Sequence, residues 1–198
     1  MSHGSDCQET TFAYLSTLES VEHGYFGGYL VLSKLGRPLE FHCTAPIRPS
    51  RAQQILYGPT LEPYLLGEQI CGALLHAAKL KPSIILTDRE AALYVRARTA
   101  APIVLITNST AHIGGANELQ TPHDASNVNN AGTREFTFGA CELQLPFGYE
   151  RDRNEVVATL TILTQHVDLA EPFERIHEAI REAQRIGGRG TEANDQAA

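Results

Sequence analysis

The sequence contains no apolar run close to the ~20 residues that a helix needs to cross a bilayer. Its first residues carry neither a basic region nor an apolar stretch, so no secretory signal is expected. Cysteine is scarce, and no two cysteines form the closely spaced pair that a structural zinc site usually needs. We therefore expect a cytoplasmic protein with no membrane contact, no metal and no other cofactor, whose reduced thiols are Cys7, Cys43, Cys71 and Cys141.

Positive charge is also in short supply. The 198 residues include 16 Lys and Arg against 23 Asp and Glu, a formal net charge of −7 at pH 7. General binding of nucleic acid needs a basic surface that neutralises phosphates, so this composition argues against it, although a local basic patch stays compatible. Hydrophobic residues make up 42% and charged residues 20%, which predicts an ordinary globular domain rather than a disordered or fibrous chain.

The first clear structural signal is an antiparallel β-hairpin. Residues 25–33 are rich in aromatic and β-branched side chains, and residues 39–45 alternate between apolar and polar side chains. The alternation places Cys43 on the apolar face and His42 on the polar one. We therefore expect Cys43 to be a packed core thiol. Because His42 and Cys43 point to opposite faces of the strand, they cannot act together as a catalytic pair.

The second signal is a βαβ unit. Two short apolar runs, 83–87 and 103–107, flank a helical segment that a Thr87 and Glu90 capping box would start. Strand, crossover helix and strand predict two parallel neighbouring strands. Other expected helices start at Ser50, run over 61–78, and run over 172–186 with an end at Gly187-Gly188.

These elements predict a single α+β domain: a mixed sheet with an N-terminal hairpin and one βαβ unit, packed helices and a C-terminal amphipathic helix. Residues 9–187 would form the domain, with a long polar loop over 108–134, between disordered ends at 1–8 and 188–198. The start of the domain is ambiguous, and 135–147 reads as one strand with a bulge near Gly139. The segment 152–166 fits both a strand and a helix; Asp152 as an N-cap favours the helix.

A candidate site lies where the two parallel strands end. Asp88 follows the first strand, while Thr107 and Asn108 close the second. In open α/β sheets, ligands bind beyond the carboxyl ends of the strands, so these three side chains could meet beneath the 108–134 loop. The alternative is that Asp88 only favours the helix that follows it, through its charge.

The polar loop offers two further candidates, His112 and His123. Neither has the spacing that would make metal binding specific, and no phosphate-binding loop follows Gly114-Gly115. A solvated loop is the simpler interpretation, and we predict no metal site.

Two functions are compatible with this sequence. The first is a non-enzymatic binding or scaffold component of a bacterial-type cytosolic assembly, with a protein partner or self-association into an oligomer; its aromatic interface candidates are Tyr25, Phe26 and Tyr29. It rests on missing catalytic motifs, which is weak support because catalytic groups assemble from distant positions. The alternative is a small hydrolase or transferase that binds a small molecule at Asp88, Thr107 and Asn108, with Asp88 as general acid or base.

Overall fold

The computed structural model describes residues 10–108 and 134–195. The predicted loop over 108–134, with His112 and His123, therefore lies almost wholly outside the described residues. The strands are β1 (Thr11–Ser20), β2 (Gly24–Ser33), β3 (Pro38–Cys43), β4 (Ile84–Thr87), β5 (Ile103–Asn108), β6 (Glu135–Phe138) and β7 (Cys141–Gln144). The α-helices are α1 (Arg51–Tyr57), α2 (Gly72–Ala77), α3 (Arg153–Leu163) and α4 (Glu171–Asp195), with a π-helical segment over Pro63–Cys71 and 3-10 segments over Gly58–Thr60, Glu90–Arg98 and Glu150–Asp152.

All seven strands form one mixed sheet in the order β3-β2-β1-β4-β5-β7-β6. The predicted hairpin is present as β2 and β3, and the predicted parallel pair as β4 and β5. Strand β1 joins the two groups, because it pairs antiparallel with β2 and parallel with β4. The α+β class with a mixed sheet is therefore confirmed, while the division of the chain into a domain and two disordered ends stays a prediction.

Helical layers cover both faces of this sheet. One face packs against α3 and α4 and includes Tyr14 and Leu86. The other packs against the π-helical segment, α2 and the 3-10 segment over Glu90–Arg98, which we call the connector. This face includes Leu15 and Ile85. Because the central strands β1, β4 and β5 are buried on both faces, they read as nearly continuous apolar runs.

Several local predictions need correction. The first segment of the domain, whose secondary structure the sequence left ambiguous, is strand β1. Its residues are buried on both faces, so they do not show the alternation of apolar and polar side chains that usually reveals a strand. Gly139 does not form a bulge: with φ at 60° it turns the chain between β6 and β7, which pair as a hairpin. Thr87 accepts a hydrogen bond from the backbone N–H of Arg89 at 3.1 Å, and the connector has no side-chain cap among the described residues. Helix α4 runs to Asp195, past the predicted stop.

Strand β3 presents the opposite faces to those predicted. Cys43 is exposed, as are Leu39 at 45% and Phe41 at 40%, whereas Glu40 faces inward. The reason is that β3 is an edge strand on which one carboxylate binds backbone N–H groups of the segment that follows α2. Glu40 accepts hydrogen bonds from the backbone N–H groups of Lys79 at 2.8 Å and Leu80 at 2.9 Å. Cys43 is therefore not a packed core thiol.

The Glu40 carboxylate also lies 2.6 Å from Nε2 of His42. Burial by itself would raise the pKa of Glu40, but the hydrogen bonds from His42, Leu80 and Lys79 outweigh it and hold that pKa below its ordinary value. Because the folded pKa is lower than the unfolded one, this stabilisation is present above the unfolded pKa and is lost as the pH falls through the folded value.

We expect Glu40→Gln to lower the free energy of unfolding by about 1–2 kcal/mol at pH 7, since an amide cannot accept both backbone hydrogen bonds. The difference from wild type should shrink as the pH falls through the lowered pKa of the wild-type carboxyl, because that carboxyl then protonates. Urea denaturation at several pH values measures it. Glu22→Gln, an exposed acidic residue, is the matched control. A Glu40 effect that is the same at pH 7 and pH 3 would rule out the charge as its source.

Two adjacent glycines let the helices approach β2 closely from both sides. A Cβ atom at Gly27 would overlap Ile70 of the π-helical segment, and one at Gly28 would overlap Ile176 of α4. We expect Gly28→Ala to destabilise the fold by about 1–3 kcal/mol, because the buried isoleucine cannot swing away. Gly72→Ala is the control: its Cβ meets the mobile end of Arg98, and alanine favours a helix. Thermal denaturation of both variants tests this, and equal melting temperatures would contradict it.

The aromatic residues predicted to form an interface do not lie on the surface. Phe26 is 4% exposed and Tyr29 is fully buried, and they belong to the two opposite core layers. They are packing residues, as strand aromatics usually are. Tyr25 is partly buried and forms a β-bridge with Ile47.

No helix in the described residues is long and apolar enough to cross a membrane.

Candidate functional site

The candidate site lies at the carboxyl ends of β1 and β4. Leu15 pairs with Thr87 in the parallel register, so the next residues, Ser16 and Asp88, are neighbours across the two strands. By the alternation of a strand, both side chains fall on the face covered by α3 and α4. The sheet therefore delivers a hydroxyl and a carboxylate to one point beneath α4.

Helix α4 supplies the third group, His177. Its Nε2 lies 2.8 Å from Oγ of Ser16 and 3.4 Å from Oδ2 of Asp88. One turn before and after it, Phe173 and Ile180 pack into the core, which fixes the face of the helix that meets the sheet. The side chains of His177 and Asp88 are 19% and 23% exposed, so solvent reaches both.

Asp88 has one oxygen in use and one without a partner. Oδ1 is buried and has no hydrogen-bond partner among the described residues. The nearest cation is Arg89, whose Nε lies 4.0 Å from Oδ1 and donates a hydrogen bond to the backbone oxygen of Thr17 at 3.0 Å. A buried carboxylate oxygen without a donor costs free energy, and such groups are typical of sites that a ligand or a proton completes.

Ser16, His177 and Asp88 are not a serine-hydrolase triad. In a triad the carboxylate binds one imidazole nitrogen and the serine the other. Here both oxygens face the same nitrogen, Nε2. Ser16 is also fully buried, so its hydroxyl cannot attack a substrate. The arrangement instead leaves a histidine that can take or give a proton, beside a carboxylate and a guanidinium.

The nearby thiol of Cys71 does not join this chemistry. It lies in the opposite core layer, and burial, with a smaller contribution from the charge of Asp88, raises its pKa to about 12. A thiol in that state stays protonated at neutral pH and is a poor nucleophile.

Of the residues predicted to form the site, Asp88 lies in it, whereas Thr107 contacts a neighbouring strand instead. The side chain of Asp88 faces His177 rather than capping the connector. Thr107 is exposed and donates a hydrogen bond to the backbone oxygen of Glu142 at 3.0 Å, so its hydroxyl is satisfied away from Asp88. Asn108 pairs with Glu142 in the sheet, at the same edge. His112 and His123 lie outside the described residues, and their roles, like that of Asn108, stay predictions.

Sequence reasoning missed Ser16 and His177. They are 161 residues apart, and neither belongs to a recognisable motif. Recognition of β1 as a buried strand parallel to β4 would have placed Ser16 beside Asp88. For His177 the available signal was its place in the helical periodicity, between Phe173 and Ile180.

A metal site does not assemble from the described residues: within 10–108 and 134–195, no three His, Cys, Asp or Glu side chains are placed to hold a metal ion. Asp88 and His177 are two donors, fewer than the three protein ligands of a typical catalytic zinc site.

Comparison with known proteins identifies the fold. No protein-family model matches the sequence, and no curated protein matches it. Among solved structures, human ENDOV aligns over 91% of this chain and 86% of its own, with a TM-score of 0.52 and 14% sequence identity. Two structures of Ciona intestinalis endonuclease V align over 54% and 50% of this chain, with TM-scores of 0.35 and 0.34 and identities of 12% and 13%. Those alignments span about half of the Ciona chain, 48% and 46%.

This likeness overturns the scaffold prediction. The solved structure that shares the fold over most of this chain is human ENDOV, which is not a structural component of an assembly. The expectation of no general nucleic-acid binding, which was drawn from the net charge, is contradicted in the same way. A net charge of −7 is a sum over the whole surface, whereas an enzyme needs a suitable potential only where a few phosphates bind.

Proposed function

We propose that this protein is a nucleic-acid-processing enzyme that acts on a phosphodiester at the site formed by Asp88 and His177. The observation that carries the proposal is the meeting of the imidazole of His177 with the carboxylate of Asp88, at the carboxyl ends of two parallel strands in a chain with the fold of human ENDOV. The resemblance supports the class of enzyme, and the side chains support the place of the reaction.

Each group has a role that its chemistry suits. His177 acts as general acid–base: it accepts a proton from a water molecule while the water oxygen bonds to phosphorus and the bond to the leaving oxygen breaks, the leaving oxygen taking a proton from solvent. Asp88 stabilises the imidazolium that forms. This division of labour needs both side chains within reach of solvent, as they are.

Arg89 supplies the positive charge that a phosphate requires. Its Nε is held by the backbone oxygen of Thr17, and its side chain is 46% exposed. A guanidinium fixed at one nitrogen keeps its two terminal NH2 groups for an anion, and Arg binds phosphate oxygens in pairs. The Arg89 side chain therefore complements the acid–base pair with a phosphate contact.

The cellular location belongs to the same proposal. Cys43, Cys71 and Cys141, the described cysteines, are free thiols. Thiols that stay reduced are typical of the cytosol, which supports a cytoplasmic enzyme with access to intracellular nucleic acid.

The test is to incubate the purified wild-type protein with end-labelled single-stranded and duplex oligonucleotides of DNA and RNA. Cleavage is followed on denaturing gels with and without Mg²⁺, and binding by fluorescence anisotropy over a salt series. We expect at least one substrate to be cut, and binding that weakens with salt because phosphates are neutralised. Neither binding nor cleavage of any of the four substrates would overturn the proposal.

A further inference from the structure

The contacts of His177 indicate which of its two ring nitrogens carries the proton and which carries the lone pair. Nε2 faces two oxygens, Oγ of Ser16 at 2.8 Å and Oδ2 of Asp88 at 3.4 Å. One of these oxygens carries negative charge. A lone pair on Nε2 would point at the carboxylate and be repelled, whereas an N–H there is attracted to both oxygens. The contacts therefore favour the tautomer with its proton on Nε2.

The other nitrogen, Nδ1, then carries the lone pair. His177 makes no further hydrogen bond or ion pair within the described residues, so Nδ1 has no protein partner there. The side chain is 19% exposed, and both oxygens lie at Nε2. Nδ1 is thus the nitrogen that remains for a substrate.

We propose that His177 exchanges its proton through Nδ1, and that Ser16 is a positioning residue that holds Nε2 inward. Ser16 suits this role because it is fully buried on a central strand, where its hydroxyl cannot leave the imidazole. Asp88 alone is a weaker anchor, since its oxygen is the more distant of the two. The part of this inference that concerns proton exchange with a substrate rests on the proposed function. The part that concerns the tautomer of His177 and its contact with Ser16 does not.

The tautomer can be read without any substrate. Long-range ¹H–¹⁵N spectra of uniformly ¹⁵N-labelled protein distinguish a protonated from an unprotonated ring nitrogen, and His177→Gln assigns the signals among the eight histidines. We expect neutral His177 to show a protonated Nε2 and an unprotonated Nδ1. A protonated Nδ1, or averaged signals from two tautomers in the wild-type protein, would overturn the proposal.

Variants of Ser16 test the positioning role. Ser16→Ala leaves Asp88 at 3.4 Å as the remaining partner of Nε2, so it should raise the share of the other His177 tautomer above the wild-type level. It should also lower kcat by about tenfold with little change in KM, because one neutral hydrogen bond is lost. Ser16→Thr, which keeps the hydroxyl, should restore the tautomer and most of kcat. Wild-type tautomer signals in Ser16→Ala would exclude the role.

Ser20→Ala is a matched control, since Oγ of Ser20 contacts Nδ1 of His23 at 3.3 Å on the same strand but outside the site. It should leave the His177 signals and kcat unchanged.

The experiments distinguish failure of the proposed function from failure of the positioning proposal. If no nucleic acid is cut, the tautomer measurement still decides the arrangement at His177; if cleavage occurs with Nδ1 protonated, only the positioning proposal falls.

Discussion

Replacement of Asp88 by asparagine is expected to lower kcat on the cleaved oligonucleotide by about 10²–10⁴-fold, the usual range for loss of acid–base assistance. An amide cannot stabilise an imidazolium as a carboxylate does, so the protonated form of His177 becomes harder to reach. KM should change little, because the proposed phosphate contact is made by Arg89 and not by Asp88. Single-turnover cleavage by wild-type and variant protein measures the effect.

The same substitution should leave the fold intact or slightly strengthen it. Oδ1 of Asp88 is buried without a hydrogen-bond partner among the described residues, so its charge is poorly solvated in the folded state. Removal of that charge relieves the cost, and we expect the free energy of unfolding to stay equal or to rise by up to about 1 kcal/mol. Greater activity at the expense of stability is common at enzyme sites.

The matched control is Glu182→Gln, which makes the same change of charge on the helix that carries His177. Glu182 is exposed and forms an ion pair with Arg185 at 2.7 Å. It should alter neither kcat nor stability measurably. If Asp88→Asn instead destabilises the protein and leaves cleavage unchanged, Asp88 is a structural residue and the proposed site is wrong.

How far the sequence predicts this molecule depends on whether a feature is local. The β2–β3 hairpin and the β4–β5 pair follow from turn signals and short apolar runs, which reflect neighbouring residues. The faces of β3 did not follow, because Glu40 turns inward to bind the segment that follows α2, some forty residues away. Such a contact leaves no trace in the alternation of six residues.

The candidate site divides in the same way. Asp88 was predictable because the rule about strand ends needs only β4 and the element that follows it. Ser16 was hidden by the ambiguity of β1, and His177 by the length of chain between it and the sheet. Thr107, predicted from the same rule as Asp88, turned to the neighbouring strand. The rule finds an edge of a sheet, but the register and the covering helix decide which side chains share a face there.

The ion pair between Arg96 and Asp152 is the place where one substitution should destabilise the fold most. Nε of Arg96 lies 2.7 Å from Oδ2 of Asp152, and the two side chains are 12% and 8% exposed. Arg96 also donates to the backbone oxygen of Thr99 and lies over the ring of Tyr149. The ion pair thus joins the 3-10 segment over Glu90–Arg98, on one face of the sheet, to the start of α3 on the other face.

Asp152→Ala should lower the free energy of unfolding by about 3–5 kcal/mol, because it leaves the Arg96 guanidinium buried without its counter-charge. Urea denaturation with a two-state fit measures the loss. Glu68→Ala is the control. It breaks the ion pair with Arg98 at 3.3 Å, where both side chains are about half exposed at 52% and 53%, and should cost less than about 1 kcal/mol.

The double variant Arg96→Met and Asp152→Leu separates the cost of an unpaired charge from the value of the pair. If the single substitution is costly because a buried charge loses its partner, removal of both charges should recover most of the loss, and the stability should return to within about 2 kcal/mol of wild type. Added salt should not change the result, since buried charges are poorly screened. A double variant as unstable as Asp152→Ala would mean that the ion pair itself, rather than the avoidance of an isolated charge, holds the connector to α3.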